Sequence, residues 1–149
     1  MIGSWTLSMS NFIDAAGPNG VGVIMPQTFI EEGGTAEQAV FIRNFHTTYK
    51  TNRMDSPPST AQGHDSLHVL AAAIKQAGTL DGPKIRAALD DLQETINGVV
   101  QVYRHPFDPA NHEAVSAANV VYGIVKDGRV VRLTSEQSAA VQSRAQGRK

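Results

Sequence analysis

The string His64-Asp65-Ser66-Leu67-His68 holds the residue types in this chain most able to do chemistry. Two histidines four apart on a helix can bring two imidazoles to one metal ion. A catalytic zinc site needs a further ligand and an activated water. No glutamate stands between the histidines, as it does in zinc proteases of this spacing. The competing reading is two half-exposed helix histidines, with Asp65 complementing the helix dipole near an N-terminal turn. His105, His112 and Glu113 form a second polar cluster, in a stretch that any fold would leave hydrophilic. Gly17, Gly20 and Gly22 follow an apolar helical pattern rather than a strand, the wrong setting for a dinucleotide-binding turn. There is no G-x-S-x-G, no Walker motif and no aspartate-rich calcium loop. The 149 residues include no cysteine, which excludes disulfides, thiolate nucleophiles and Cys-based zinc sites. The expectation is a protein that is not an enzyme, with no catalytic residues, no metal and no cofactor.

The elements that would position these groups follow from patterning. Residues 2–4 read as a strand end. Met9, Phe12, Ile13 and Ala16 mark one face of a short helix, closed by Gly17-Pro18-Asn19-Gly20. Val21 to Met25 then reads as a buried strand, so the opening suggests a parallel βαβ unit. Thr35 with Gln38 fits a capping box for a helix reaching about Tyr49, with Phe41, Ile42, Phe45 and Tyr49 as its stripe. A second helix runs from about Thr60 to Ala77 with the stripe Leu67, Leu70, Ile74, Ala77, and Gly78 takes the left-handed position after it. Ile85, Ala88, Leu89 and Leu92 mark a third helix entered through Pro83. Asn97-Gly98 turns into a strand from Val99 to Tyr103. Val120–Val125 and Arg129–Leu133 flank Asp127-Gly128, a hairpin signal.

Composition sets outer bounds. An apolar share of 41% and a charged share of 18% suit a globular domain, and a net charge of −1 gives no pull toward nucleic acid. No apolar run approaches the ~20 residues of a membrane span. No signal-peptide pattern is visible at the N-terminus. Residues 135–149, with Arg144, Arg148 and Lys149, read as a flexible tail.

Taken in series, the segments resemble a family. Gly3-Ser4-Trp5-Thr6-Leu7-Ser8-Met9-Ser10-Asn11-Phe12, Ala16-Gly17 and Gly20-Val21-Gly22-Val23 resemble a strand–loop–helix–strand module of type I periplasmic solute-binding proteins of the Leu/Ile/Val-binding group. Phe45 to Tyr49, then Ser56-Pro57-Pro58, Ala61-Gln62-Gly63-His64-Asp65-Ser66 and Ala72-Ala73-Ile74-Lys75-Gln76-Ala77-Gly78 resemble two of its helices, with His64 where tyrosine is usual. Lys84 to Leu92, Gly98-Val99-Val100 and Val125-Lys126-Asp127-Gly128 continue the series to about residue 134.

That resemblance implies an α/β fold: parallel-sheet three-layer elements of the type I periplasmic-binding-protein fold, incomplete, with a C-terminal β-hairpin. It implies the C-terminal part of a two-lobed receptor, with residues 1–26 in one lobe, 27–119 in the other, and 120–134 returning as the hairpin. The implied function is the periplasmic solute-binding component of an ABC importer for branched-chain amino acids or related small acids. Its partners would be a small solute (an amino acid, or an aliphatic or aromatic carboxylate) and the ABC permease, not nucleic acid. Trp5 and Thr6 match a ligand-contacting loop, and Ser59 with Thr60 a second contact. Pro26 and Gln27 match a hinge crossing. Strands without their neighbours imply self-association. A stand-alone interaction module and a metal-dependent enzyme are the alternatives.

Overall fold

A computed structural model of the chain describes residues 1–146. The chain forms two compact units, Met1–Pro58 with Val120–Lys149, and Ser59–Asn119.

The first unit opens with the expected strand–helix–strand module. Ile2 bridges Ile24 in parallel, through Gly3 N–H to the Ile24 carbonyl and Ile24 N–H to the Met1 carbonyl, each 2.9 Å. Between them lie a 3-10 turn, Trp5–Ser8, the helix α1, Ser10–Ala16, and a second 3-10 turn, Gly17–Gly20. Strand β1 is Ile24–Gln27, later than the apolar run suggested, because Gly22 turns at φ 82° and draws Val21 out of the sheet. β1 pairs antiparallel with β4, Val121–Lys126, which pairs antiparallel with β5, Arg129–Arg132, in the order β1-β4-β5. The expected parallel sheet is therefore limited to the Ile2–Ile24 bridge. β4 reaches β1 only after residues 59–119 and runs the opposite way. Asp127 and Gly128 both have positive φ, 50° and 73°, as a two-residue hairpin turn of this kind requires.

Pro26 sits inside β1 without breaking it. Ile24 directs its N–H and carbonyl toward Met1 and Gly3. Two residues on, Pro26 faces the same outer edge, where a missing N–H deprives no partner strand.

Residues 27–58 belong with the first unit, so the expected boundary after Pro26 moves to Pro58–Ser59. The reason is packing. Phe29, Ile30 and Met54 are each at most 2% exposed, and the Met54 N–H donates to Glu31. Helix α2, Ala36–Tyr49, is capped by Thr35, whose hydroxyl accepts the Gln38 N–H at 3.2 Å. Phe41 meets Phe29 edge-on at 5.7 Å, but Tyr49 is exposed and is not part of a buried stripe.

The expected flexible tail is corrected as well. Ser135–Gln146 is a helix, α5, with Val141 buried. Thr134 and Gln137 cap it reciprocally: the Gln137 N–H donates to the Thr134 hydroxyl, and the Thr134 N–H to Gln137 Oε1. Arg148 and Lys149 lie outside the described residues.

The second unit holds most of α3, Pro57–Ala77, then α4, Gly82–Asp90, and a hairpin of β2, Ile96–Asn97, and β3, Val102–Tyr103. Its core is Val69, Ala72, Ala73, Ala88, Leu92, Ile96 and Tyr103. The buried face of α3 is the predicted one only toward its C-terminal end, where Ala77 packs against the core. Leu67 and Leu70 are 69% and 41% exposed, while Ala61, Asp65, Val69, Ala72 and Ala73 are buried. The α4 stripe holds, with Ala88 and Leu92 buried and Ile85 and Leu89 packed beside them. Asp81 caps α4 by accepting the Lys84 N–H at 3.2 Å. No helix among the described residues is long and apolar enough to cross a membrane.

Candidate functional site

Trp5, the chain's only tryptophan, stands on the first 3-10 turn with 44% of its surface exposed, so it is not a core residue. The turn fixes its backbone rather than its ring. The Trp5 carbonyl accepts from the Ser8 hydroxyl at 2.8 Å and from Gln27 Nε2 at 3.1 Å. Ser4 caps the turn through the Thr6 N–H. An aromatic ring held this way offers a broad apolar face on a rigid mount. Thr6 is exposed beside it. Pro26 and Gln27, matched to a hinge, are ladder residues of β1 paired with Tyr122 and Val121.

Ser59 and Thr60 lie in the first turn of α3, Ser59 exposed and Thr60 half-buried. The structure thus brings Trp5, Thr6 and Gln27 together in the first unit and places Ser59 and Thr60 in the second.

The group with the most built chemistry is Asp65. It is 1% exposed and accepts the Val99 and Val100 N–H groups, each at 2.8 Å, and the Tyr103 hydroxyl at 3.0 Å. His64 Nδ1 donates to it at 3.1 Å. A Cβ added at Gly98 would run into the Asp65 carboxylate and the Tyr103 ring, so glycine lets the loop close over the acid. Burial, and then the charge and hydrogen bond of Asp65, push the Tyr103 phenol well above the ordinary tyrosine range. Asp65 is therefore not a solvated dipole partner but the clamp that ties α3 to the β2–β3 hairpin. It also explains why Val99–Tyr103 is not one strand: the first two N–H groups go to a side chain instead of a ladder. The His64 and His68 rings lie tilted against each other, 4.5 Å between centroids, but among the described residues no three His, Cys, Asp or Glu side chains gather as a metal would require. His112 lies 3.5 Å from Asp90.

A family model described as "Periplasmic binding protein" matches residues 1–129, and the chain belongs to that family. It is a family of binding proteins, not of enzymes. Comparison with curated proteins returns no match. Among solved structures, the chain is similar to a leucine-binding protein from Thermotoga maritima, with 20% identity, a TM-score of 0.69, and 89% of this chain aligned on 36% of that one. It is similar to a type 1 periplasmic binding protein from Bordetella pertussis, with 19% identity, a TM-score of 0.70, and 89% of this chain on 38% of that one. An ABC-transporter solute-binding protein from Rhodopseudomonas palustris in complex with benzoate gives 21% identity, a TM-score of 0.58, and 81% of this chain on 31% of that one. These likenesses establish the fold, an α/β type I periplasmic-binding-protein architecture. The chain spans well under half the length of each of these structures.

Proposed function

We propose that the chain is part of the solute-binding receptor of an ABC importer, located in the periplasm, that takes a branched-chain amino acid or a related aliphatic or aromatic carboxylate. The observation that carries this reading is the family match across residues 1–129. Structural neighbours named as leucine-binding and as benzoate-bound are what suggests this solute class. Trp5 and Thr6 supply contacts from the first unit, the tryptophan ring stacking on a flat or branched apolar body. Ser59 and Thr60 supply hydroxyl and helix-terminal contacts from the second. The solute-loaded form docks on the membrane permease. Pro26 and Gln27 serve as a hinge crossing in this reading, as the family resemblance implies.

The test is calorimetric titration of leucine and benzoate into the receptor that carries this chain, with and without Trp5→Ala. The expected result is micromolar binding of a solute of this class, weakened several-fold or more by the substitution. Absence of binding by amino acids and carboxylates alike overturns the reading. Unchanged affinity in Trp5→Ala removes Trp5 from the site.

A further inference from the structure

The side chain of Gln27 reaches from β1 to the turn that carries Trp5. Gln27 is the last residue of β1 and is 2% exposed. Its Nε2 donates to the Trp5 carbonyl at 3.1 Å, across 22 positions of sequence. Since a carbonyl only accepts, the contact also fixes which end of the amide is nitrogen. This is the side chain's one hydrogen bond, because Oε1 is buried and accepts none from the protein. A buried amide satisfied at only one end is unfavourable as a packing group. A methionine of the same length would fill the space without that cost. What accounts for an amide at this position is therefore the bond its nitrogen makes.

That bond holds the backbone of an exposed aromatic residue. Trp5 and Thr6 are exposed, while Leu7 packs on the core of Ile13, Val23, Met25 and Val125, and Ser8 is buried. The turn is thus anchored by its second half and presents its first half to solvent. The Ser8 hydroxyl bonds the same Trp5 carbonyl, but from within the turn, so that bond shapes the turn without fixing its place. The backbone leaves the sheet at Gly3, whose N–H donates to the Ile24 carbonyl. Beyond that point the Gln27 bond ties the turn back to β1, where Gln27 is itself paired with Val121 of β4. A binding residue needs this kind of support to hold its side chain within a fraction of an ångström.

We propose that Gln27 is a positioning residue of the solute site: by holding the Trp5 carbonyl, its amide sets where the indole ring stands and so how tightly the solute is gripped. The inference rests on the reading of Trp5 as a solute contact. Gln27, being buried, acts through Trp5 and not on the solute itself.

Trp5 is the chain's only tryptophan, so its fluorescence reports directly on how the ring is held. In Gln27→Met, time-resolved anisotropy of the chain is expected to show about a twofold or larger rise in the amplitude of fast ring motion. The urea midpoint is expected to stay within about 0.5 M of wild type, because the lost bond is offset by removing a buried oxygen that has no donor. Gln27→Glu is the second arm. Protonated, its carboxyl can donate to the Trp5 carbonyl; ionised, it can only accept. Trp5 anisotropy should therefore follow the titration of the new carboxyl, matching wild type in acid and loosening at higher pH, with wild type flat over the same range. In the receptor that carries this chain, Gln27→Met is expected to weaken binding of leucine or benzoate by about threefold or more, and to add nothing in a Trp5→Ala background, where no ring is left to place. Unchanged Trp5 fluorescence in both variants overturns the proposal. So does a loss of affinity as large in the Trp5→Ala background as in wild type, since Gln27 would then act on the fold and not through the ring. If Gln27→Met does not fold, the pH response of Gln27→Glu decides. If no solute binds the receptor, the receptor reading fails, while the fluorescence of the chain still decides whether Gln27 places the ring.

Discussion

Replacing Asp65 with alanine tests the central claim about the second unit. The carboxylate accepts two backbone N–H groups at 2.8 Å and a phenol at 3.0 Å while itself 1% exposed. Each bond to a charged acceptor is worth about 1.5–3 kcal/mol, so three would sum to roughly 5–9 kcal/mol if independent. They are not independent. Alanine also relieves the desolvation of the acid, and water can follow into the space, so the net cost is about 3–5 kcal/mol. With a urea dependence of about 1–3 kcal/mol per molar, the midpoint falls by on the order of 2 M. Asp65→Asn keeps one accepting oxygen but turns an NH2 group toward a remaining donor, for a cost of about 1–3 kcal/mol. Urea titration followed by circular dichroism gives the size of the effect. Amide exchange at Val99 and Val100 gives its location, since these two protons should lose protection first. A loss under about 0.5 kcal/mol in Asp65→Ala, with Val99 still protected, would refute the clamp.

Further outcomes follow from the same geometry. Gly98→Ala should destabilise the chain by about 1–3 kcal/mol in urea titration, because its methyl displaces Asp65 or Tyr103. Tyr103 has a folded pKa above its unfolded one, so its contribution is complete below about pH 10 and is lost as pH rises beyond that; tyrosinate absorbance should show a phenol that ionises only with unfolding, and Tyr103→Phe should abolish that step. The Arg53 hydrogen bonds hold the Asp14 carboxyl below the usual aspartate range, so their contribution is present above that range and disappears as pH falls through the depressed value. Melting curves of wild type and Asp14→Asn should differ slightly near neutral pH and converge in acid. The chain should self-associate in sedimentation equilibrium, because Ile2, Leu67, Leu80 and Val102 are 54%, 69%, 82% and 49% exposed; a monomer at all concentrations would count against this.

The elements legible in the sequence are those fixed by short-range chemistry. Thr35 with Gln38, Gly78 after α3, and Asp127-Gly128 in the hairpin each act within a few residues, and each stands where its local pattern put it. Thr134 with Gln137 carries the same kind of signal for α5, and the surrounding Ala, Ser and Gln concealed it as tail composition. The strand–helix–strand opening was readable, but the direction of β4 was not. That direction depends on how the chain returns after residues 59–119, which no local window contains.

The α3 face shows why the clamp was harder to see. Hydrophobic periodicity weighs leucine above alanine and counts aspartate as surface, so it selects Leu67 and Leu70 and rejects Asp65. The buried positions instead run Ala61, Asp65, Val69, Ala72 and Ala73, spaced three and four apart around small side chains. Small residues let the β2–β3 loop approach the helix closely, and close approach puts the Val99 and Val100 N–H groups within reach of a short carboxylate. A buried acid on such a face is tolerable only when several donors meet it. The sequence does contain the donors' mark, a glycine followed by two residues whose N–H groups are left out of any ladder. The match between Gly98 and Asp65 spans 33 positions, from 65 to 98, and only the fold brings it together. The same logic applies to Trp5: its type suggests core, and its exposure follows from a backbone held by Ser8 and Gln27, the latter distant in sequence.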